Sequence, residues 1–231
     1  MNIIISGGTS GIGKELALLL SMNKNDRIIV TGRNKKALKE LSSEAEHGNI
    51  FTSPLDLEEF ENQYRPFLDF VTSRIRRIDI LINNAGCLVM KDFMEMNASE
   101  AKKMMDTNFF GPAALIRVLK PMMKRGSHIV NISSMGGYQG SSKYRGLSYY
   151  SASKAALSCL SECLAEEFRE SGIAVNCLAL GSVSTKMQKL AFPGFKAPLT
   201  AREMAEFIAG FAISGGKFFN GKVLPVALSN P

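Results

Sequence analysis

The chain has 231 residues, of which 45% are hydrophobic and 21% are charged. This balance is typical of a soluble globular protein and excludes a disordered or fibrous chain, and the length suits one large domain with its own core. The formal net charge is +7. The basic residues are scattered in small clusters on expected helix faces, so no nucleic-acid partner is predicted.

The cysteines and the apolar runs indicate where such a chain would reside. The four cysteines lack a CxxC spacing and lie in apolar or helical stretches: Cys87, Cys159, Cys163 and Cys177. We therefore expect free thiols in a reducing compartment. The apolar runs are shorter than the ~20 residues that span a bilayer, and the N-terminus has no signal-peptide pattern, so a cytoplasmic protein is expected. No His, Asp, Glu or Cys cluster stands at ligand spacing, and no metal is expected.

Apolar runs of strand length alternate along the chain with segments of helical periodicity. In chain order they predict strand 2–6, helix 12–22, strand 27–31, helix 35–45, strand 50–53, helix 57–75, strand 78–83, helix 99–124, strand 128–133, helix 149–170, strand 173–178, helix 201–211 and strand 223–226. This alternation predicts a Rossmann-type doubly wound α/β fold, with a seven-stranded parallel sheet and helices on both faces, in a single domain spanning residues 1–231. Such sheets bind ligands beyond the carboxyl ends of their strands. The site is therefore expected at the loops that begin near Ser6, Arg33, Asn83, Ser133 and Ala179.

A glycine-rich loop follows the first predicted strand. It is the run Ser6, Gly7, Gly8, Thr9, Ser10, Gly11, Ile12 and Gly13. Glycine lets the backbone approach a pyrophosphate closely, and the N–H groups that begin the next helix attract the anion. A tight strand-to-helix turn alone also requires glycine. The position at the first strand–helix junction favours dinucleotide binding.

The end of the second predicted strand, at Thr31, Gly32 and Arg33, decides which cofactor is expected. An acidic residue at this place accepts hydrogen bonds from the ribose 2′-hydroxyl of NAD, whereas an arginine pairs with the 2′-phosphate of NADP. Arg33, without an acid at Gly32, therefore predicts NADP(H) over NAD(H). The alternative is that Arg33 is an ordinary exposed arginine.

Three motifs in this order resemble the classical short-chain dehydrogenase/reductase family: the glycine loop, Asn83-Asn84-Ala85-Gly86, and Tyr150-Ser151-Ala152-Ser153-Lys154. The resemblance covers nearly the whole chain. Beyond the glycine loop and Arg33, it implies a cofactor-binding set made of Asp56, Leu57, Asn83, Asn84, Ala85, Gly86, Tyr150, Lys154, Val183 and Thr185. It implies a catalytic set made of Asn108, Ser134, Tyr150 and Lys154. In this set Asn108 holds a water that connects Lys154 to solvent.

The chemistry of the last motif also follows from its residues. Tyr150 and Lys154 stand four positions apart in a predicted helix, so they share one face. A free phenol has a pKa of about 10, and a neighbouring ammonium favours the phenolate. We therefore expect Lys154 to lower the pKa of Tyr150, which would act as general acid in reduction and general base in oxidation. The Ser134 hydroxyl would bind the same carbonyl oxygen, and the cofactor would supply the hydride.

Neighbouring residues of the same types leave alternatives open. Tyr144 and Tyr149 have no lysine four positions on, and we expect them in a loop or a pocket wall. Ser133 competes with Ser134, and the resemblance places the acting hydroxyl on the second serine. Asn108 could instead only cap or kink its helix.

Three features depart from the family pattern. Ser6 replaces the usual threonine and keeps the hydroxyl, and Leu180 stands where the family generally has proline, which frees a backbone φ angle. The segment 136–148, before Tyr150, is longer than the resemblance implies. We expect this segment to meet a lid at residues 186–199 over the nicotinamide, and to form the substrate mouth with it.

The residues of the mouth suggest a substrate class. The first segment contributes polar residues, namely Gln139, Ser141, Ser142, Lys143 and Arg145. The lid contributes aromatic rings with lysines beside them, namely Phe192, Phe195, Lys186, Lys189 and Lys196. This combination predicts a substrate with an apolar part and an anionic or strongly polar part. The alternative is that the lysines of the lid only face solvent.

The function predicted from these features is an NADP(H)-dependent carbonyl reductase or alcohol dehydrogenase with a small-molecule substrate. A non-enzymatic dinucleotide-sensing or scaffold protein on the same fold is the alternative, since fold does not fix function. Sugar-nucleotide epimerases and dehydratases usually add a C-terminal substrate domain, so this function is ranked last. The resemblance also implies a homodimer or homotetramer through helices 99–124 and 149–170. Their apolar residues exceed what one helix face buries: Met104, Phe109, Leu115, Val118 and Met122.

Overall fold

A parallel β-sheet organises the molecule, for which a computed structural model describes residues 1–228. Within these residues seven parallel strands pair in the order β3-β2-β1-β4-β5-β6-β9. They are β1 (Asn2–Ser6), β2 (Arg27–Gly32), β3 (Ile50–Pro54), β4 (Ile78–Asn83), β5 (Met123–Ser134), β6 (Ala174–Leu180) and β9 (Val223–Val226). Two short strands, β7 (Val183–Ser184) and β8 (Leu199–Thr200), pair separately. The predicted Rossmann-type sheet is confirmed.

Helices cover both faces of this sheet. They are α1 (Gly11–Ser21), α2 (Lys35–Glu44), α3 (Phe60–Arg74), α4 (Ala98–Met105), α5 (Gly111–Leu119), α6 (Ser148–Glu167), α7 (Lys186–Ala191) and α8 (Ala201–Ser214). Apolar residues of α1, α2 and α8 pack on one face, and those of α3, α5 and α6 pack on the other. Ile3, Ile4 and Ile5 are all 0% exposed; because successive strand side chains point to opposite faces, both faces are covered. None of the helices between residues 1 and 228 is long and apolar enough to cross a bilayer.

The predicted helix 99–124 is divided into several elements. After α4, residues Asp106–Phe110 form a π-helical turn that α5 follows directly. The helix then ends in a 3₁₀ turn at Lys120–Met122, which contains Pro121. Pro121 cannot donate to the helix ladder, and β5 begins at Met123 rather than at residue 128. The prediction of helix up to residue 124 is wrong for this reason.

Two of the other boundary differences lie close to the expected site. The helix expected from residue 57 begins at Phe60, because the Asp56 carboxylate accepts the Glu58 N–H at 3.1 Å and forms a turn first. β6 continues to Leu180, which pairs in register with Ser134 on one side and Val226 on the other. Leu180, the departure from the family proline, therefore lies in the strand ladder.

Two of the five apolar residues expected at a subunit contact are buried inside this chain. Met104 and Leu115 are each 0% exposed and belong to the interior of this chain. The argument from these two residues is therefore wrong. Phe110 is 55% exposed, and the outer face of α6 carries Ala152, Ala155, Cys159 and Cys163 as exposed residues. The homo-oligomer stays a prediction.

Candidate active site

A cavity of about 740 Å³ lies at the carboxyl edge of the sheet. The loops after β1, β2, β4, β5 and β6 all contribute to its wall, as the winding of the sheet predicts. Sixteen predicted site residues line it: Gly7, Thr9, Ser10, Gly11, Ile12, Arg33, Asp56, Leu57, Asn84, Ala85, Gly86, Ser134, Tyr150, Lys154, Val183 and Thr185. The structure therefore brings most of the predicted residues together around one space.

The glycine loop between β1 and α1 is closely packed against neighbouring backbone. Gly7 has a φ of +73°, and a Cβ built on it would lie 2.5 Å from the Ala85 Cα atom. Glycine is thus required here both by the conformation and by the close approach. Ser10, at the N-cap of α1, makes no side-chain capping bond. The N–H groups of the first turn of α1 therefore stay available at the cavity wall.

Four predicted site residues do not line the cavity: Ser6, Gly13, Asn83 and Asn108. Each of them supports its wall instead. The Ser6 hydroxyl accepts the Ala85 N–H at 3.2 Å. A Cβ on Gly13 would lie 2.3 Å from the Gly7 carbonyl oxygen. The Asn83 amide donates to the Asn131 side chain at 2.8 Å, between β4 and β5.

At the end of β2, Gly32 and Thr9 are in close contact. A Cβ on Gly32 would lie 2.6 Å from the Thr9 Cγ2 atom. No acidic side chain fits at this position unless Thr9 moves. The next residue, Arg33, is exposed and lines the cavity. The contact between Gly32 and Thr9 therefore disfavours an acidic side chain at residue 32, and the sequence does not reveal this contact.

Tyr150, in the first turn of α6, meets Ser134, the last residue of β5. Both side chains line the cavity, and the Ser134 hydroxyl accepts the Gly136 N–H at 3.1 Å. Ser133 instead donates its hydroxyl proton to the Lys154 carbonyl at 2.8 Å. Burial raises the pKa of Tyr150, and the hydrogen bond to Ser134 partly opposes this shift. Of the two serines, Ser134 is the one that faces the Tyr150 phenol.

Lys154 is buried with its ammonium directed at the sheet. Its Nζ atom donates to the Ile132 carbonyl oxygen at 2.8 Å. Burial lowers the pKa of Lys154 to about 8, because desolvation penalises the charged form. The expected lowering of the Tyr150 pKa by Lys154 is wrong for this arrangement, since burial dominates at Tyr150 and raises its pKa.

Asn108 lies in the π-helical turn and links two segments. Its Oδ1 atom accepts the Cys87 N–H at 2.7 Å, and its Nδ2 atom donates to the Cys87 carbonyl at 2.8 Å and to the Ser153 hydroxyl at 2.9 Å. The side chain thus ties the segment after β4 to α6. Its role in holding a water stays a prediction. Sequence reasoning missed the contribution of Ser153, for which the small-residue run before Lys154 was the only signal.

Thr107 is a second residue that the sequence did not single out. It lines the cavity, and its buried hydroxyl has no hydrogen-bond partner within the described part of the chain. A buried polar group without a partner costs free energy unless a bound molecule satisfies it. Its only signal in the sequence is that it precedes Asn108.

The two segments of the predicted mouth meet as expected. The rings of Tyr144 and Phe192 are in edge contact, with 5.5 Å between their centroids. Tyr144, Phe192 and Phe195 line the cavity, and so does Lys186. Tyr144 is therefore a pocket-wall residue. Tyr149 lies outside this cavity and stacks on Phe93 at 5.7 Å.

The expected polar side of the mouth is wrong. None of its predicted members lines the cavity: Gln139, Ser141, Ser142, Lys143 and Arg145. Arg145 donates from Nε to both carboxylate oxygens of Asp92, at 2.8 and 3.0 Å. Lys143 donates to the Tyr138 carbonyl at 2.7 Å. On the lid, Lys189 and Lys196 are exposed and lie outside the lining. Of the charged residues in the argument for an anionic substrate, only Lys186 lines the cavity.

A family model described as short chain dehydrogenase matches residues 1–194. The chain belongs to the short-chain dehydrogenase family. Dehydrogenase/reductase SDR family member 7B of Xenopus tropicalis is 33% identical over 202 residues, which cover 83% of this chain and 64% of that protein. The chain therefore spans less than two thirds of the length of this relative. An uncharacterized oxidoreductase of Staphylococcus saprophyticus is 28% identical over 208 residues, which cover 88% of this chain and 87% of that protein.

Solved structures of short-chain dehydrogenases share this fold. A dehydrogenase/reductase from Sinorhizobium meliloti 1021 has a TM-score of 0.86 and 26% identity, covering 97% of this chain and 92% of that chain. ElxO with NADP bound has a TM-score of 0.83 and 28% identity, covering 97% of this chain and 96% of that chain. The short-chain dehydrogenase family binds a nicotinamide dinucleotide.

The cavity fits such a dinucleotide. The glycine loop and the start of α1 line one wall of it, and Thr107 offers a hydroxyl without a partner among the described residues. Within residues 1–228, no group of three or more His, Cys, Asp and Glu side chains is arranged to hold a metal ion.

Proposed function

We propose that this short-chain dehydrogenase is an NADP(H)-dependent oxidoreductase that transfers hydride between the nicotinamide and a carbonyl or secondary alcohol substrate. One observation carries the proposal: the Tyr150 phenol and the Ser134 hydroxyl are neighbours in the cavity that the glycine loop lines. A proton donor and a hydroxyl that orients the substrate are thus available beside a dinucleotide site. This arrangement argues against a protein that only senses the dinucleotide.

The roles of the residues follow from their chemistry. The nicotinamide, when bound, supplies or accepts the hydride. Tyr150 donates its phenolic proton to the carbonyl oxygen in reduction and takes it back in oxidation. Ser134 holds the same oxygen by a hydrogen bond, which orients the carbon for transfer. We assign Lys154, which lines the same cavity, to the ribose of a bound cofactor, where its ammonium would favour the phenolate form of Tyr150.

The cofactor preference rests on the end of β2. Arg33 lines the cavity and is exposed, so it is placed to pair with the 2′-phosphate of NADP(H). Gly32 provides no carboxylate that could accept a hydrogen bond from the ribose 2′-hydroxyl of NAD(H). The contact between Gly32 and Thr9 also disfavours an acidic side chain at this position. The NADP bound to ElxO supports the same choice. We assign the adenine contacts to Asp56 and Leu57 and the carboxamide contacts to Val183 and Thr185, which line the same cavity.

The substrate compartment is mainly apolar. Leu88, Leu147, Met187, Phe192 and Phe195 line the cavity. Residues 186–199, which contain α7 and both lid phenylalanines, act as the lid in this proposal. A neutral aliphatic or aromatic carbonyl compound suits such walls better than an anionic one.

The test is the oxidation of NADPH followed at its absorbance maximum with a panel of aryl ketones, alkyl ketones, quinones, keto-sugars and 3-oxoacyl thioesters. We expect turnover with neutral ketones or quinones. No turnover with any carbonyl compound, and none with the matching alcohols and NADP⁺, would overturn the proposed function. Tight binding of NADPH without any turnover would favour the dinucleotide-sensing alternative.

A further inference from the structure

A second cavity lies beside the catalytic one. Its volume is about 700 Å³, and its walls include Asp92, Phe93, Met94, Lys143 and Arg145. Two residues, Tyr144 and Leu147, line both cavities. These residues therefore form a partition between the catalytic cavity and its neighbour. The partition belongs to the segment 136–148, the longest departure from the family pattern.

The partition is held from the side of the second cavity. Arg145 makes a two-pronged ion pair with Asp92, and the Lys91 N–H donates to the Gly146 carbonyl at 3.0 Å. On the side of the catalytic cavity, the Tyr144 ring meets Phe192 of the lid. The Arg145 side chain and the Gly146 backbone thus anchor the segment on one side of Tyr144. On the other side, the Tyr144 ring touches the lid.

Tyr144 and Leu147 differ in how firmly they are fixed. Leu147 is 4% exposed, and its carbonyl accepts the Ser151 N–H at 2.8 Å at the start of α6. Its replacement would disturb the helix that carries Tyr150. Tyr144 is 43% exposed, and its ring makes an edge contact with Phe192 of the lid. The removable part of the partition is therefore the Tyr144 ring.

We propose that Tyr144 sets the upper size of the substrate by closing the catalytic cavity toward the second one, and that Arg145 and Asp92 position it. The inference rests on the proposed function and specifies its substrate: a neutral carbonyl compound whose apolar substituent ends at the Tyr144 ring. Removal of the ring joins the catalytic cavity to the second one, whose apolar wall residues are Phe93, Met94 and Leu147. Longer apolar substituents then gain a place that is closed to them in the wild-type protein.

The experiment compares phenyl ketones with alkyl chains from methyl to hexyl. In Tyr144→Ala, kcat/KM for the hexyl ketone relative to the methyl ketone should rise about tenfold or more, because a few buried methylenes are worth this much in a hydrophobic pocket. In Tyr144→Phe, which keeps the ring, the ratio should stay within about twofold of the wild type. Phe218→Ala is a matched control, because Phe218 is 77% exposed and lines neither cavity.

The same variants are titrated calorimetrically with phenyl hexyl ketone in the absence of cofactor. Tighter binding to Tyr144→Ala than to Tyr144→Phe supports the partition even if no ketone is turned over, which separates it from the proposed function. An unchanged ratio and unchanged binding in a folded Tyr144→Ala protein would overturn it. If that variant does not fold, Tyr144→Leu replaces it with the same two outcomes.

The positioning role of the ion pair has its own test. Arg145→Asp should raise the hexyl-to-methyl ratio about threefold through lost positioning, while kcat for the methyl ketone stays near the wild-type value. The exchange Arg145→Asp with Asp92→Arg should return the ratio toward the wild type. An unchanged ratio in Arg145→Asp, or a double variant as altered as the single one, contradicts the role of the pair.

Discussion

The Lys154 Nζ atom donates a 2.8 Å hydrogen bond to the Ile132 carbonyl oxygen, at the carboxyl end of β5. This places an ammonium group in a buried position without a carboxylate partner among the groups that shift its pKa. Burial of an unpaired charge destabilises a fold. A lysine in such a position is better explained by function than by stability.

The first prediction concerns stability and pH. Burial lowers the pKa of Lys154 from its ordinary 10.5 to about 8. Between these two pH values the unfolded chain binds a proton at this site that the folded chain has lost, so this residue makes the folded state more stable as pH rises. Below pH 8 both states are protonated, and the full cost of the buried charge is present.

Lys154→Met removes this titration. The free energy of unfolding of the variant, minus that of the wild type, should therefore be about 3 kcal/mol larger at pH 7 than at pH 10.5. Urea denaturation at the two pH values measures it. Other titrating groups cancel in the difference between the two proteins. A difference that does not change with pH would show that folding does not lower the pKa of Lys154.

The second prediction concerns the cofactor. Because a charge-assisted pair with a phosphate is worth about 1.5–3 kcal/mol, NADPH should bind roughly ten- to a hundredfold tighter than NADH. Arg33→Ala should erase most of this difference, as measured by fluorescence titration of both cofactors. Equal affinities in the unmutated protein would exclude the assignment.

The contact between Gly32 and Thr9 suggests how the cofactor preference can be reversed by substitution. Gly32→Asp alone should weaken binding of both cofactors, because its Cβ would lie 2.6 Å from Thr9. Gly32→Asp combined with Thr9→Ala and Arg33→Ala should bind NADH better than NADPH. If Gly32→Asp alone already reverses the preference, the steric part of this argument is wrong.

Features set by neighbours along the chain were predictable, and those set by distant contacts were not. The strand runs and the four-residue spacing of Tyr150 and Lys154 follow from local periodicity, and the sheet follows from their alternation. The ion pair of Arg145 with Asp92 joins residues 53 positions apart, so the sequence left Arg145 as a residue of the mouth. The direction of the Lys154 ammonium depends on the β5 backbone, which no spacing reveals.

The third prediction concerns Asn108. Its side chain satisfies both backbone groups of Cys87 and the Ser153 hydroxyl. Asn108→Ala leaves the partly buried N–H and carbonyl groups of Cys87 without these partners, so the free energy of unfolding should fall by about 2–4 kcal/mol. Ser153→Ala, which removes only one of the three contacts, should cost about 1 kcal/mol. Denaturant unfolding measures both. Equal losses in the two variants would contradict the linking role of Asn108.

The fourth prediction concerns assembly. The exposed face of α6, with Ala152 and Ala155, has small residues that let a second helix approach closely, and we predict a closed dimer or tetramer through it. Light scattering at micromolar concentration should give a multiple of the chain mass. Ala155→Arg should lower that mass, and the control Met22→Arg, at an exposed residue after α1, should not. A single-chain mass for the wild type contradicts this prediction.

The most direct test of the proposed function is the turnover of Tyr150→Phe beside that of Tyr149→Phe. Tyr150 lines the cavity beside Ser134, whereas Tyr149 stacks on Phe93 outside it. Once the carbonyl panel has supplied a substrate, kcat for NADPH-dependent reduction should fall at least about a hundredfold in Tyr150→Phe with NADPH affinity retained, and it should stay within about threefold of the wild type in Tyr149→Phe. Near-normal turnover in Tyr150→Phe would contradict proton transfer by this residue, and with it the central claim.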